Sequence, residues 1–103
     1  MTRETVDPLK ERQEKRRQLS RLLRELQELD STRRRLLRFA RFERLREVSR
    51  ADIQNRAPER TTREEELETE TRQIVALIDR IVAEIGEIVA ELGLEGINLW
   101  ELV

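Results

Sequence analysis

Of 103 residues, 42% are charged and 37% hydrophobic, with three aromatics, three glycines, two prolines and neither cysteine nor histidine. That balance suits elongated helices and leaves little material for a β-sheet; the missing residue types exclude disulfides, thiolate or histidine metal sites and histidine-based catalytic triads. Net charge is −1, but residues 1–57 carry 17 Lys/Arg against 10 Asp/Glu and residues 58–103 carry 4 against 12, so a basic half precedes an acidic one.

The first predicted element starts at Asp7-Pro8. An aspartate caps free amide groups, and proline at the first helical position lacks only a donor that had no partner there. Leu19, Leu22, Leu26, Leu29, Leu36 and Ala40 then recur at steps of three and four, an apolar stripe interrupted by Arg33. Asp30-Ser31-Thr32 resembles a fresh cap, but the apolar phase runs through it without Gly or Pro, so one continuous helix is expected over about 7–54. Asn55-Arg56-Ala57-Pro58 should end it, because the residue before a proline is pushed out of helical geometry.

Thr61 and Thr62 with Glu64 and Glu65 make overlapping Thr-x-x-Glu capping boxes, which start a second helix over about 62–92 after a turn at 55–61. Its seam is Leu67, Ile74, Ile78, Ile81, Ile85, Ile88 and Leu92, flanked by Val75, Val82 and Val89 and then by Ala76, Ala83 and Ala90. This stripe is wider than two positions per heptad and calls for more than one neighbour. Gly93 suits the left-handed residue that closes a helix. An apolar tail, 94–103, follows, with Leu99, Trp100 and Leu102 as anchors. A hairpin centred on Pro58 would set Leu36 opposite Ile81 and Leu29 opposite Ile88, and would pair Arg33 with Glu84. It would also lay the tail, with Trp100 as a lid, over Leu19, Leu22 and Leu23; the alternative is a tail that docks a partner, with Trp100 as an interface anchor.

The acidic run Glu64, Glu65, Glu66, Glu68, Glu70 offers oxygen ligands, but carboxylates in a first helical turn are what the helix dipole favours, so neither metal nor cofactor is expected. The sharper feature is Arg34, Arg35, Arg38, Arg41 and Arg46 with Phe39 and Phe42 interleaved. It fits a partner surface in which phenylalanines enter a neighbouring subunit and arginines rim the contact, or alternatively phosphate-backbone binding. The many acidic residues nearby weigh against a helix lying on anionic lipid. No run approaches ~18 apolar residues, and the charged start lacks the apolar segment of a signal peptide.

Together these features predict an all-α protein: a single helical domain over 1–103, folded as a long antiparallel, coiled-coil-like hairpin that pairs with a second copy into a homodimeric four-helix bundle. The expected role is a non-catalytic, self-associating adaptor or assembly protein, soluble, unprocessed and cytoplasmic. Its partners would be itself, as a dimer or, since isoleucine at both seam positions permits it, a higher homo-oligomer, and another protein. The rival expectation is a nucleic-acid-binding module using the arginine-rich helix 33–46.

Overall fold

The structure, a computed structural model, describes residues 7–102, the side chains of Glu101 and Leu102 excepted. Two long helices, α1 (Pro8–Ile53) and α2 (Thr62–Leu92), are followed by a short 3-10 helix, Leu99–Leu102. No strand occurs among the described residues. α1 passes through Asp30-Ser31-Thr32 without a break. There Thr32 donates its hydroxyl back to the Glu28 carbonyl, as a hydroxyl inside a helix can, and no new helix is capped.

Both helix starts are closed by local chemistry. The Leu9 amide donates to Asp7 Oδ1 at 3.1 Å, so Asp7 caps α1 with Pro8 behind it. At α2 the reciprocal box is complete: the Glu64 amide donates to Thr61 Oγ1 at 3.1 Å and the Thr61 amide to Glu64 Oε1 at 3.3 Å. Of the two overlapping boxes, the one built on Thr61 forms.

Both helix ends are left-handed caps with the same bonds. At Gly93, φ is +66° and the Gly93 and Leu94 amides donate to the Ala90 and Val89 carbonyls. At Asn55, φ is +55° and the Asn55 and Arg56 amides donate to the Asp52 and Ala51 carbonyls. α1 is therefore ended by Asn55, one of the few residues besides glycine that tolerates this conformation, and Pro58 lies beyond the reversal instead of at its centre.

That displacement changes the register. The chain divides into two compact units. In the unit Glu28–Ile78, Glu47 faces Glu59, Glu43 faces Thr61 and Arg44 faces Glu64. In the other unit, which holds the described residues up to Gln27 and those from Asp79 onward, Lys15 meets Glu91 at 2.9 Å and Arg12 donates to the Leu92 carbonyl. A hairpin centred on Pro58 differs from this by about eleven residues, or three helical turns. Arg33 accordingly pairs with Asp30 on its own helix at 2.9 Å, and the expected partnership with Glu84 is replaced.

The core of the unit Glu28–Ile78 contains Leu36, Ala51 and Leu67, with Leu29, Ala40, Ile74 and Ile78 half-buried around them. In the other unit Leu19, Leu22 and Leu23 are buried together with Ile81, Ile85, Ile88 and Leu92. The Lys15–Glu91 register sets those two groups opposite one another. α2 itself thus reaches the leucine cluster that the sequence assigned to the tail, and Trp100 remains 49% exposed.

Leu19 is 0% exposed, so Leu19→Ala should lower stability by about 2–5 kcal/mol, measured by urea denaturation. Gly86 sits inside α2 with no heavy atom within 4 Å of where a Cβ would stand, so no close approach requires it. Gly86→Ala should raise stability by about 1 kcal/mol in the same assay.

Candidate functional site

Three clusters of side chains stand out, one of them buried and two open. The buried one surrounds Glu47, 3% exposed and the one buried charged residue among those described. Arg56 reaches back from the turn and donates Nη1 to Glu47 Oε2 at 2.9 Å and Nη2 to Oε1 at 3.0 Å, a two-pronged contact that suits a planar guanidinium. The Glu59 amide donates to Oε2 at 2.9 Å, and Arg50 stands 3.8 Å from Oε1. Arg56 is braced in turn through its Nε by Gln54 Oε1. The Arg56 donors first, then the Glu59 amide, hold the Glu47 carboxyl down from 4.5 to about 2 against the opposing effect of burial.

The same network extends through the connection. Thr61 Oγ1 donates to Glu43 Oε1, and Arg44 donates to the Glu59 carbonyl and to Glu64 Oε1. No buried side-chain polar atom among the described residues lacks a partner. The acidic run opening α2 is taken up in this way as well: Glu64 caps, Glu66 pairs with Arg63, and Glu68 pairs with Arg60 and Arg72. No group of acidic side chains that could hold a metal ion occurs among the described residues.

The second cluster lies open on α1. Phe39, Phe42, Leu45 and Val48 follow one another at steps of three residues, a ridge that winds around the helix away from buried Leu36, Glu47 and Ala51. Phe42 is 71% and Leu45 67% exposed. Phe39, Phe42 and Leu45, with Glu43, Arg46, Arg63 and Leu67, line a shallow groove of about 600 Å³. Leu45 and Val48 also border a second depression that ends at Arg56 and Pro58, beside the Glu47 clamp.

Of the arginines singled out in the sequence, Arg34 is paired with Asp30 at 3.0 Å, whereas Arg35, Arg38, Arg41 and Arg46 are exposed. None of these four forms an ion pair among the described residues. Within Glu28–Ile78, Leu67 is buried and Ile74 and Ile78 are half-buried. Leu99 is half-buried in the 3-10 helix, and the Leu102 side chain and Val103 lie outside the described residues.

Sequence patterns pointed to Phe39 and Phe42 but missed Leu45 and Val48, which continue the same three-residue spacing. They also missed Glu47 and Arg56, whose pairing depends on the chain reversing at Asn55, a geometry no heptad pattern carries.

The third cluster is Arg16, Arg17, Ser20, Arg21 and Arg24, which line a depression on α1 in the unit that holds Leu19.

Comparison with protein-family models, curated proteins and solved structures finds no match. The class that the fold itself defines is an all-helical hairpin of two long helices. No helix among the described residues is long and apolar enough to cross a membrane.

Because Glu47 is depressed, its contribution to stability is complete above about 4.5 and should fade as pH falls toward about 2. In urea denaturation across that range, Glu47→Gln should be least stable relative to the unmodified chain at neutral pH, and the difference should shrink with acidification. A difference independent of pH would assign the effect to shape instead of charge.

Proposed function

We propose that this chain is a non-catalytic, self-associating helical module, an adaptor or assembly protein that acts through protein-protein contacts. In this reading a second copy covers the ridge Phe39, Phe42, Leu45 and Val48, giving a homodimeric four-helix bundle. The observation that supports it is the exposure of four large apolar side chains in succession on one helix, lining or bordering concave surface and rimmed by arginine. Scattered apolar residues on a surface need no explanation, but a contiguous ridge of this kind is characteristic of an interaction site. Phenylalanine and arginine are also the residue types enriched where proteins meet. The composition supports the non-catalytic part, since no histidine, cysteine or tyrosine exists to act as base or nucleophile.

A second reading, nucleic-acid binding through helix 33–46, is supported by the exposure of Arg35, Arg38, Arg41 and Arg46, none of which pairs with a carboxylate among the described residues. It uses the same side of α1 as the ridge, so the two readings compete for one surface. Salt separates them: binding to phosphates weakens steeply as salt rises, whereas an apolar contact does not.

Sedimentation or light scattering at micromolar concentration should find a dimer. Phe42→Asp combined with Leu45→Asp should convert it to a monomer that keeps its helical circular dichroism, because both side chains are exposed in the single chain. An unmodified chain that stays monomeric throughout would overturn the self-association reading.

A further inference from the structure

Residues 16–24, RRQLSRLLR, contain four arginines and no carboxylate. They fall within α1, where a helical wheel at 100° per residue puts Arg17, Ser20, Arg21 and Arg24 on the side opposite Leu19, Leu22 and Leu23. All four arginines are exposed, and together with Ser20 they make up the whole lining of one concave patch.

No ion pair forms at any of the four among the described residues. Lys15, adjacent in sequence, behaves differently: it is neutralised by Glu91, whose hydrogen bond and charge raise its pKa. Arg17, Arg21 and Arg24 stand on successive turns, and like charges at such spacings repel and weaken a helix. Glu14, Glu25 and Glu28 stand one turn away on the same face, but none reaches salt-bridge distance of these arginines among the described residues, so the cluster is a concentration of guanidinium groups on a rigid support, complemented by an anion that offers several closely spaced charges.

The residue types narrow that anion. Guanidinium is a planar fork that matches phosphate oxygens in pairs, so a ladder of arginines repeating at about 5.4 Å along a helix suits a row of phosphates. The patch contains no aromatic ring on which an unpaired base would stack. It contains no apolar side chain that would enter a lipid surface either.

We propose that Arg16, Arg17, Ser20, Arg21 and Arg24 form a binding site for the phosphodiester backbone of double-stranded nucleic acid, without preference for base sequence. The site is distinct from the helix 33–46 surface and does not depend on self-association.

The test uses the full chain and a fluorescein-labelled duplex DNA of about 20 base pairs, followed by anisotropy between about 50 and 200 mM salt. Binding is expected, with log K falling against log salt at a slope of about −3.6 for four phosphate contacts. The triple variant Arg17→Gln, Arg21→Gln, Arg24→Gln keeps helix-forming residues at each position, and circular dichroism checks that it is folded. It should flatten the slope by about 2.7 and weaken binding at low salt at least tenfold. Arg35→Gln, Arg38→Gln, Arg41→Gln should retain the unmodified slope. The proposal is overturned if the unmodified chain fails to bind the duplex at low salt, or if the 17/21/24 variant binds unchanged. Loss of binding only in the 35/38/41 variant would move the site to the other unit. Binding to phosphatidylserine vesicles but not to the duplex would replace nucleic acid with membrane.

Discussion

The contact on which the hairpin depends is the one between Glu47 and Arg56. A carboxylate buried to this degree is unfavourable unless its oxygens are satisfied, and here both are, by a guanidinium and a backbone amide from the connecting segment. The consequence is geometric. From Arg56, held to Ala51, to Thr61, held to Glu43, five residues of connection run back along about eight residues of α1, roughly 12 Å of helix. Chain that is not helical covers more length per residue, so α2 begins well down the flank of α1 instead of at its tip. The three-turn difference in register from a symmetric hairpin follows from that, together with the early reversal at Asn55.

Register decides which apolar residues are covered. In the unit Glu28–Ile78 it leaves Phe39, Phe42, Leu45 and Val48 facing outward while Leu36, Ala51 and Leu67 are buried. In the other unit the same register sets buried Leu19, Leu22 and Leu23 opposite buried Ile81, Ile85 and Ile88. The stripe on α2 is wider than one neighbouring helix can cover: Val75, Leu77 and Val82 stay substantially exposed beside the buried seam. Exposed apolar surface on both helices is the physical ground for reading this chain as an interaction module.

Arginine has two different roles in the molecule. Arg33, Arg44 and Arg56 are structural, each held by a carboxylate of the same unit. Arg16, Arg17, Arg21 and Arg24 in one unit, and Arg35, Arg38, Arg41 and Arg46 in the other, are exposed and have no such partner among the described residues. A near-zero net charge conceals this division, because residues 58–103, with 12 Asp/Glu against 4 Lys/Arg, offset the excess of arginine in the first half.

The two long helices and three of their four caps follow from the sequence alone, because each depends on residues within one or two turns: Asp7-Pro8, the Thr61–Glu64 box and Gly93 act locally, and heptad spacing marks the buried stripe whatever the partner. The pairing of one helix with the other was not determined in this way. Pro58 is a strong local signal and drew the reversal toward itself, but the reversal formed at Asn55, where a left-handed residue closes α1 three residues earlier. Arg33 at an apolar heptad position suggested a partner across the hairpin, yet Asp30, one turn away, was close enough to take it. Trp100 would cover Leu19 only in a hairpin centred on Pro58, and in the observed register α2 itself lies opposite that leucine. These outcomes belong to tertiary structure because they turn on how far a non-helical connection travels, and that distance is set by a buried carboxylate whose partners are brought together only once the chain has folded.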